Sequence, residues 1–112
     1  MHVLCHIDDI AEGCSREFQL GEHALFAVKK DAVVYVYKNH CPHLGTELNW
    51  QEDQFLDPDG ALIQCSTHGA LFLIEDGSCI SGPCMGAQLT AITSRIDQNQ
   101  VLIAMPTEQQ SR

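Results

Sequence analysis

The sequence predicts an all-β fold, an antiparallel sandwich or barrel of short strands, and two observations predict it. Its apolar runs are short, and several are rich in β-branched or aromatic residues, the side chains that pack best on a pleated surface. Between them fall turn signals such as Asp59-Gly60, Asp76-Gly77 and Asp97-Gln98-Asn99, where small or polar residues let the chain reverse. Short strands at such close spacing indicate two packed sheets or a closed barrel.

Taken in order, Val3–Ile7 is the first strand, and Asp8–Glu12 forms one helical turn, the one stretch that reads as helix. Arg16–Leu20 and Ala24–Val28 follow on either side of Gly21, and Ala32–Tyr37 is the run richest in valine and tyrosine. Ala61–Gln64 opens after Asp59-Gly60, and Leu71–Ile74 ends before Asp76-Gly77. Ala91–Asp97 and Val101–Met105 flank the Asp97-Gln98-Asn99 turn. Phe26, Tyr35, Tyr37 and Trp50 read as core or half-buried residues, with a docking role for Trp50 left open.

At 112 residues and 45% hydrophobic, the chain has the length of one domain and enough apolar surface for a continuous core without disulfides. Its six cysteines are irregularly spaced, so reduced thiols are expected. No run approaches the ~20 apolar residues of a membrane span. The stretch Met1-His2-Val3-Leu4-Cys5-His6 lacks the basic-then-apolar layout of an export signal, which points to the cytoplasm or to the cytoplasm-like side of an organelle. Fifteen acidic against six basic residues give a net charge of −9. Phosphate backbones and anionic membranes repel such a surface, whereas a partner with a basic face is steered toward it. The acidity also serves plain solubility.

Two stretches depart from the strand texture. His40–Leu48 and Cys65–Ala70 are loops that each carry a Cys, a His and a Gly: Cys41-x-His43 with Gly45, and Cys65-x-x-His68 with Gly69, with twenty-one residues between His43 and Cys65. Two thiolates and two imidazoles make four ligands for zinc or for iron–sulfur chemistry. Structural zinc sites usually pair two thiols in one short motif and two histidines in another. Here each loop offers one of each, which suits a binuclear cluster: Cys41 and Cys65 hold the inner iron, His43 and His68 the outer.

These loops resemble the Rieske signature, C-x-H-x-G with C-x-x-H-G, in which two histidines replace two cysteines on one iron. Pro42 and Leu44 agree with common usage in that family, and Gly82-Pro83 stands where a third, proline-containing loop packs beside the cluster. The resemblance covers roughly residues 1–106 as one domain, with a cluster-binding subdomain at about 40–86, and leaves 107–112 as a tail. It implies one [2Fe–2S] cluster bound by Cys41, His43, Cys65 and His68. Histidine ligation makes the oxidised cluster neutral, so an added electron costs less than on an all-cysteine cluster. His43 and His68 are the expected electron entry and exit point.

Respiratory and photosynthetic Rieske proteins tie the two loops together with a disulfide, but the corresponding positions here are Thr46 and Thr67. The serine and tyrosine that donate to cluster sulfur in those proteins are Ala70 and Phe72, so the potential is expected toward the low end of about −150 to +300 mV. Cys65-Ser66 departs from the frequent Cys-Pro. The resemblance is therefore to soluble Rieske ferredoxins. It implies a monomeric electron carrier, not an enzyme, that binds transiently to a flavin-dependent ferredoxin reductase and a terminal oxygenase. Two rivals stand beside it: an accessory small subunit of a larger reductase, and a zinc-stabilised interaction domain.

Of the other residues, His40 reads as an exposed loop histidine, and His2, His6 and His23 as surface or satisfied polar groups. Cys79 and Cys84 read as small hydrophobes beside the Gly82-Pro83 loop, with cluster-adjacent sulfur and a redox pair as alternatives. Cys5 and Cys14 are expected to pack near the first strands. Glu47, Glu52, Asp53, Asp57 and Asp59 either ring a docking face or form a solvated edge.

Overall fold

The structure, a computed structural model, describes residues 2–21, 23–40, 55–57, 60–65, 69–82 and 86–104. Three antiparallel sheets contain its strands. The central sheet runs β2 (Ser15–Leu20), β3 (His23–Lys30), β4 (Val33–Lys38) and β8 (Ala91–Ile92). A second sheet has β10 (Gln100–Ile103) between β1 (His2–His6) and β9 (Ser94–Asp97). The third has β6 (Leu71–Leu73) between β5 (Leu62–Gln64) and β7 (Cys79–Ser81). The expected all-β antiparallel architecture is what forms.

Strand periodicity explains how one sheet serves two cores. Side chains alternate across a strand, and Leu25, Phe26, Ala27 and Val28 of β3 are all fully buried. Phe26 and Val28 join Tyr37, Phe55, Ile63, Phe72 and Ile74 on one face. Leu25 and Ala27 join Val34, Val36, Ile92, Val101 and Ile103 on the other. The first core lies under the third sheet, the second under the β1–β10–β9 sheet.

The structure corrects several boundaries. Ala91–Asp97 is not one strand: β8 pairs with β4, and β9 pairs with β10 in a different sheet. The chain crosses over at Thr93, whose carbonyl accepts from Ala104 N at 3.0 Å. Ala32 is a turn residue rather than a strand residue. Asp31 and Ala32 both have left-handed φ, 55° and 65°, which gives the tight two-residue hairpin that matches strand twist. Neither is glycine, and both amides are capped by the carboxylate of Glu12. Gln98 and Asn99 make the equivalent turn between β9 and β10. The helical turn lies earlier than expected, as a 3₁₀ turn at Ile7–Asp9 capped by His6. Strand β7 was not expected at all.

Candidate metal centre

The second cysteine–histidine loop grows out of the β5–β6 hairpin. Leu62, Ile63 and Gln64 pair with Leu73, Phe72 and Leu71. The ladder continues one step, with Cys65 N donating to Ala70 O at 2.8 Å, and Gly69 N returns to Cys65 O at 2.9 Å. Cys65 and Ala70 thus close the base of the loop. Gln64 N donates to Phe55 O at 2.9 Å, which fixes the other edge of β5. Alternation along β5 turns Ile63 and Cys65 inward, and Cys65 is 1% exposed, in the same core as Phe55, Ala70 and Phe72.

The chain segment after β7 presses on this loop. A β-carbon at Gly82 would stand 2.7 Å from Ala70 Cα and 3.0 Å from Ala70 Cβ, and Gly82 has φ +104°. Only glycine lets the two backbones meet at that distance. Gly82 of the expected proline-containing third loop thus packs against Ala70 at the base of the second cysteine–histidine loop, while Pro83 lies outside the described residues.

The opposite end of the β6–β7 hairpin is held from the central sheet. The Tyr37 hydroxyl donates to Ile74 O at 2.6 Å, and burial holds that phenol well above the usual tyrosine range. A β-carbon at Gly77 would stand 2.9 Å from the Tyr37 ring. Phe26 stacks on Phe55 with centroids 4.3 Å apart and planes at 6°. Lys30 Nζ adds an exposed ion pair to Glu75 at 2.6 Å.

Of the four expected ligands, Cys65 is described, and Cys41, His43 and His68 lie outside the described residues, as do Thr46, Thr67, Cys84 and Trp50. Ala70 and Phe72, where hydroxyl donors would stand, are both buried. A buried thiol at the base of a glycine-bounded loop is the donor chemistry that a soft metal cluster takes, so Cys65, the one expected ligand among the described residues, fits such a group. Cys79 is buried in the same core, its Sγ 3.3 Å from Ser81 O, in keeping with a small hydrophobe.

Other expectations are revised. Cys14 is exposed rather than packed, while Cys5 lies partly against the aliphatic core, and burial raises its thiol pKa to about 11. Asp57 has a local structural role: its Oδ1 accepts from Ala61 N at 2.9 Å and Leu62 N at 3.1 Å, and so shapes the entry to β5. Glu47, Glu52, Asp53 and Asp59 lie outside the described residues. His40 is exposed, as expected.

Comparison with known proteins places this arrangement. The profile of the Rieske [2Fe–2S] domain family matches residues 1–102. Over 78 residues the chain is 33% identical to the ferredoxin component of the alkene monooxygenase system of Xanthobacter autotrophicus (strain ATCC BAA-1158 / Py2), a match over 70% of this chain and 61% of that protein. Among solved structures, Sphingomonas yanoikuyae B1 ferredoxin superposes with a TM-score of 0.73 at 27% identity, over 93% of this chain and 97% of that one. The ferredoxin of carbazole 1,9a-dioxygenase from Nocardioides aromaticivorans IC177 gives 0.74 at 20% identity, over 91% and 94%, a likeness of fold.

Proposed function

The chain belongs to the Rieske [2Fe–2S] domain family, and from that premise we propose that it is a soluble cytoplasmic carrier of single electrons from a flavin-dependent ferredoxin reductase to a terminal oxygenase. It binds one Rieske-type [2Fe–2S] cluster. Its ligands are Cys41 and Cys65 on one iron and His43 and His68 on the other. Relatives that serve as ferredoxin components of oxygenase systems support a carrier over an enzyme. Among the described residues no helix is long and apolar enough to cross a membrane.

The observation that carries the reading is the β5–β6 hairpin, which buries Cys65 at the base of its loop and seats Gly82 on the same loop. The bound cluster supplies a one-electron couple. Around it the chain's own residues set the environment: Phe55, Ile63 and Phe72 exclude water on the core side, and the Cys65–Ala70 bond fixes where the thiol emerges. Ala70 and Phe72 offer no hydroxyl to sulfur, so the reduced state receives less stabilisation than a serine and tyrosine would give. On this reading a reductase and an oxygenase would each approach the cluster from the side of its histidine ligands, His43 and His68.

Electron paramagnetic resonance of the dithionite-reduced protein, with a redox titration of the same sample, tests this. A Rieske signal titrating toward the low end of about −150 to +300 mV is expected, and Cys65→Ser should abolish it. A high potential would instead point to a quinol-linked role. Stoichiometric zinc without a signal would remove the carrier reading.

A further inference from the structure

Among the described residues four large hydrophobic side chains stand out in solvent: Val3, Val33, Ile80 and Ile96, at 54%, 46%, 43% and 41% exposure. Single exposed apolar residues need no explanation in themselves. Val3 and Ile96 lie on β1 and β9, the outer strands of the sheet away from the metal centre, and Val33 follows the Asp31–Ala32 turn. Ile80 differs in its place and in how the backbone presents it. It lies on β7, an edge strand of the sheet that carries Cys65, two residues before the glycine seated on Ala70. Leu71 pairs with Ser81 but Phe72 pairs with Cys79, so the register slips by one and Ile80 is the extra residue with no counterpart on β6. Such a bulge gives up a ladder position and re-aims a side chain, and bulges concentrate at edges beside functional sites.

On the carrier reading above, we propose that Ile80 is an apolar docking contact for the electron-accepting protein, which meets it with an apolar recess in a basic surface. Charge complementarity argues for that occupant. A chain of net charge −9 draws a basic partner from a distance, but rim charges set on-rate and orientation more than affinity. A half-exposed aliphatic side chain on the strand that leads to Gly82, which meets Ala70 at the base of the Cys65 loop, supplies the dry contact that charges cannot, and keeps the partner close enough for transfer.

Horse-heart cytochrome c, a basic protein with an apolar haem edge, is the probe. Stopped-flow oxidation of the reduced holoprotein would be followed with cytochrome c and, separately, with hexaammineruthenium(III), for the wild type, Ile80→Ser, Ile80→Leu and Val33→Ser. Ile80→Ser should lower the second-order rate with cytochrome c by roughly three- to tenfold. It should leave the small-oxidant rate and the resonance spectrum unchanged, Ile80→Leu should retain the wild-type rate, and Val33→Ser should affect neither oxidant. Equal rates for Ile80→Ser and Val33→Ser would overturn the proposal. So would a parallel loss with both oxidants, which would mean that the cluster rather than the docking had been disturbed. A wild-type protein without a Rieske signal would refute the carrier reading, and that failure is separate from both.

Discussion

Strands β3 and β4 support two cores on opposite faces, and the two are built differently. The face toward β5–β7 carries Phe26 and Tyr37 against Phe55 and Phe72, with a ring stack and a buried hydroxyl bonded to a named carbonyl. The face toward β1, β9 and β10 is filled by Leu25, Ala27, Val34, Val36, Ile92, Val101 and Ile103; among the described residues its one aromatic, Phe18, is only partly buried at its margin. Aliphatic packing is tolerant of shape and supplies mainly stability. Flat rings and a directed hydrogen bond specify orientation as well. The molecule places its more specific core under the Cys65–Ala70 loop, where the proposed ligand Cys65 is held in register.

The strongest way to break that comparison is to remove a ring. Phe72→Ala should cost about 3–5 kcal/mol, against about 0.5–1.5 kcal/mol for Ile103→Val on the far face. The first should also reduce the iron content of purified protein, and the second should not. Thermal unfolding with iron analysis on both variants checks it, and equal iron loss would mean that the two cores are not functionally distinct.

Gly82→Ala probes the seat of the third loop. The new β-carbon would meet Ala70 backbone at 2.7 Å, in a left-handed conformation, so an expected cost of about 1–3 kcal/mol should come with a broadened or shifted resonance signal. Tyr37→Phe comes next. It leaves Ile74 O without its buried donor, a loss of about 1–2 kcal/mol, visible in urea unfolding. Because Tyr37 holds the far end of the β6–β7 hairpin, the midpoint potential should stay put.

Much of this was legible in the sequence because the physical signal was local. Alternating or continuous apolar runs at Ala24–Val28 and Ala32–Tyr37 announced strands, and the Cys65-x-x-His68-Gly69 stretch reads as a break between strands, where the structure closes the β5–β6 hairpin. What escaped depended on distant partners. Ala32 adopts a left-handed turn because Glu12, twenty residues earlier, caps its amide. Ala91–Asp97 reads as one run, but which sheet each half joins is a tertiary choice. Strand β7 is three residues long and holds one β-branched residue, Ile80, whose bulge exists only in register with β6.

The smallest expected effect concerns the polar tie between the two regions. Backbone N–H groups of Ala32 and Asp31 hold the Glu12 carboxyl below its ordinary value of 4.5, and the turn they belong to follows Lys30, which reaches Glu75 beside the β5–β7 sheet. A carboxyl whose folded pKa is depressed adds stability that is present above its unfolded pKa and is lost as pH falls through the folded one. Glu12→Gln keeps one acceptor but not the charge, so it should melt slightly below wild type at neutral pH. The gap should close as pH drops below 4.5 and through the lower folded value. Melting curves across that window decide the matter: a gap that persists in acid would assign the turn's stability to packing around Asp31 and Ala32 rather than to the carboxylate that caps them.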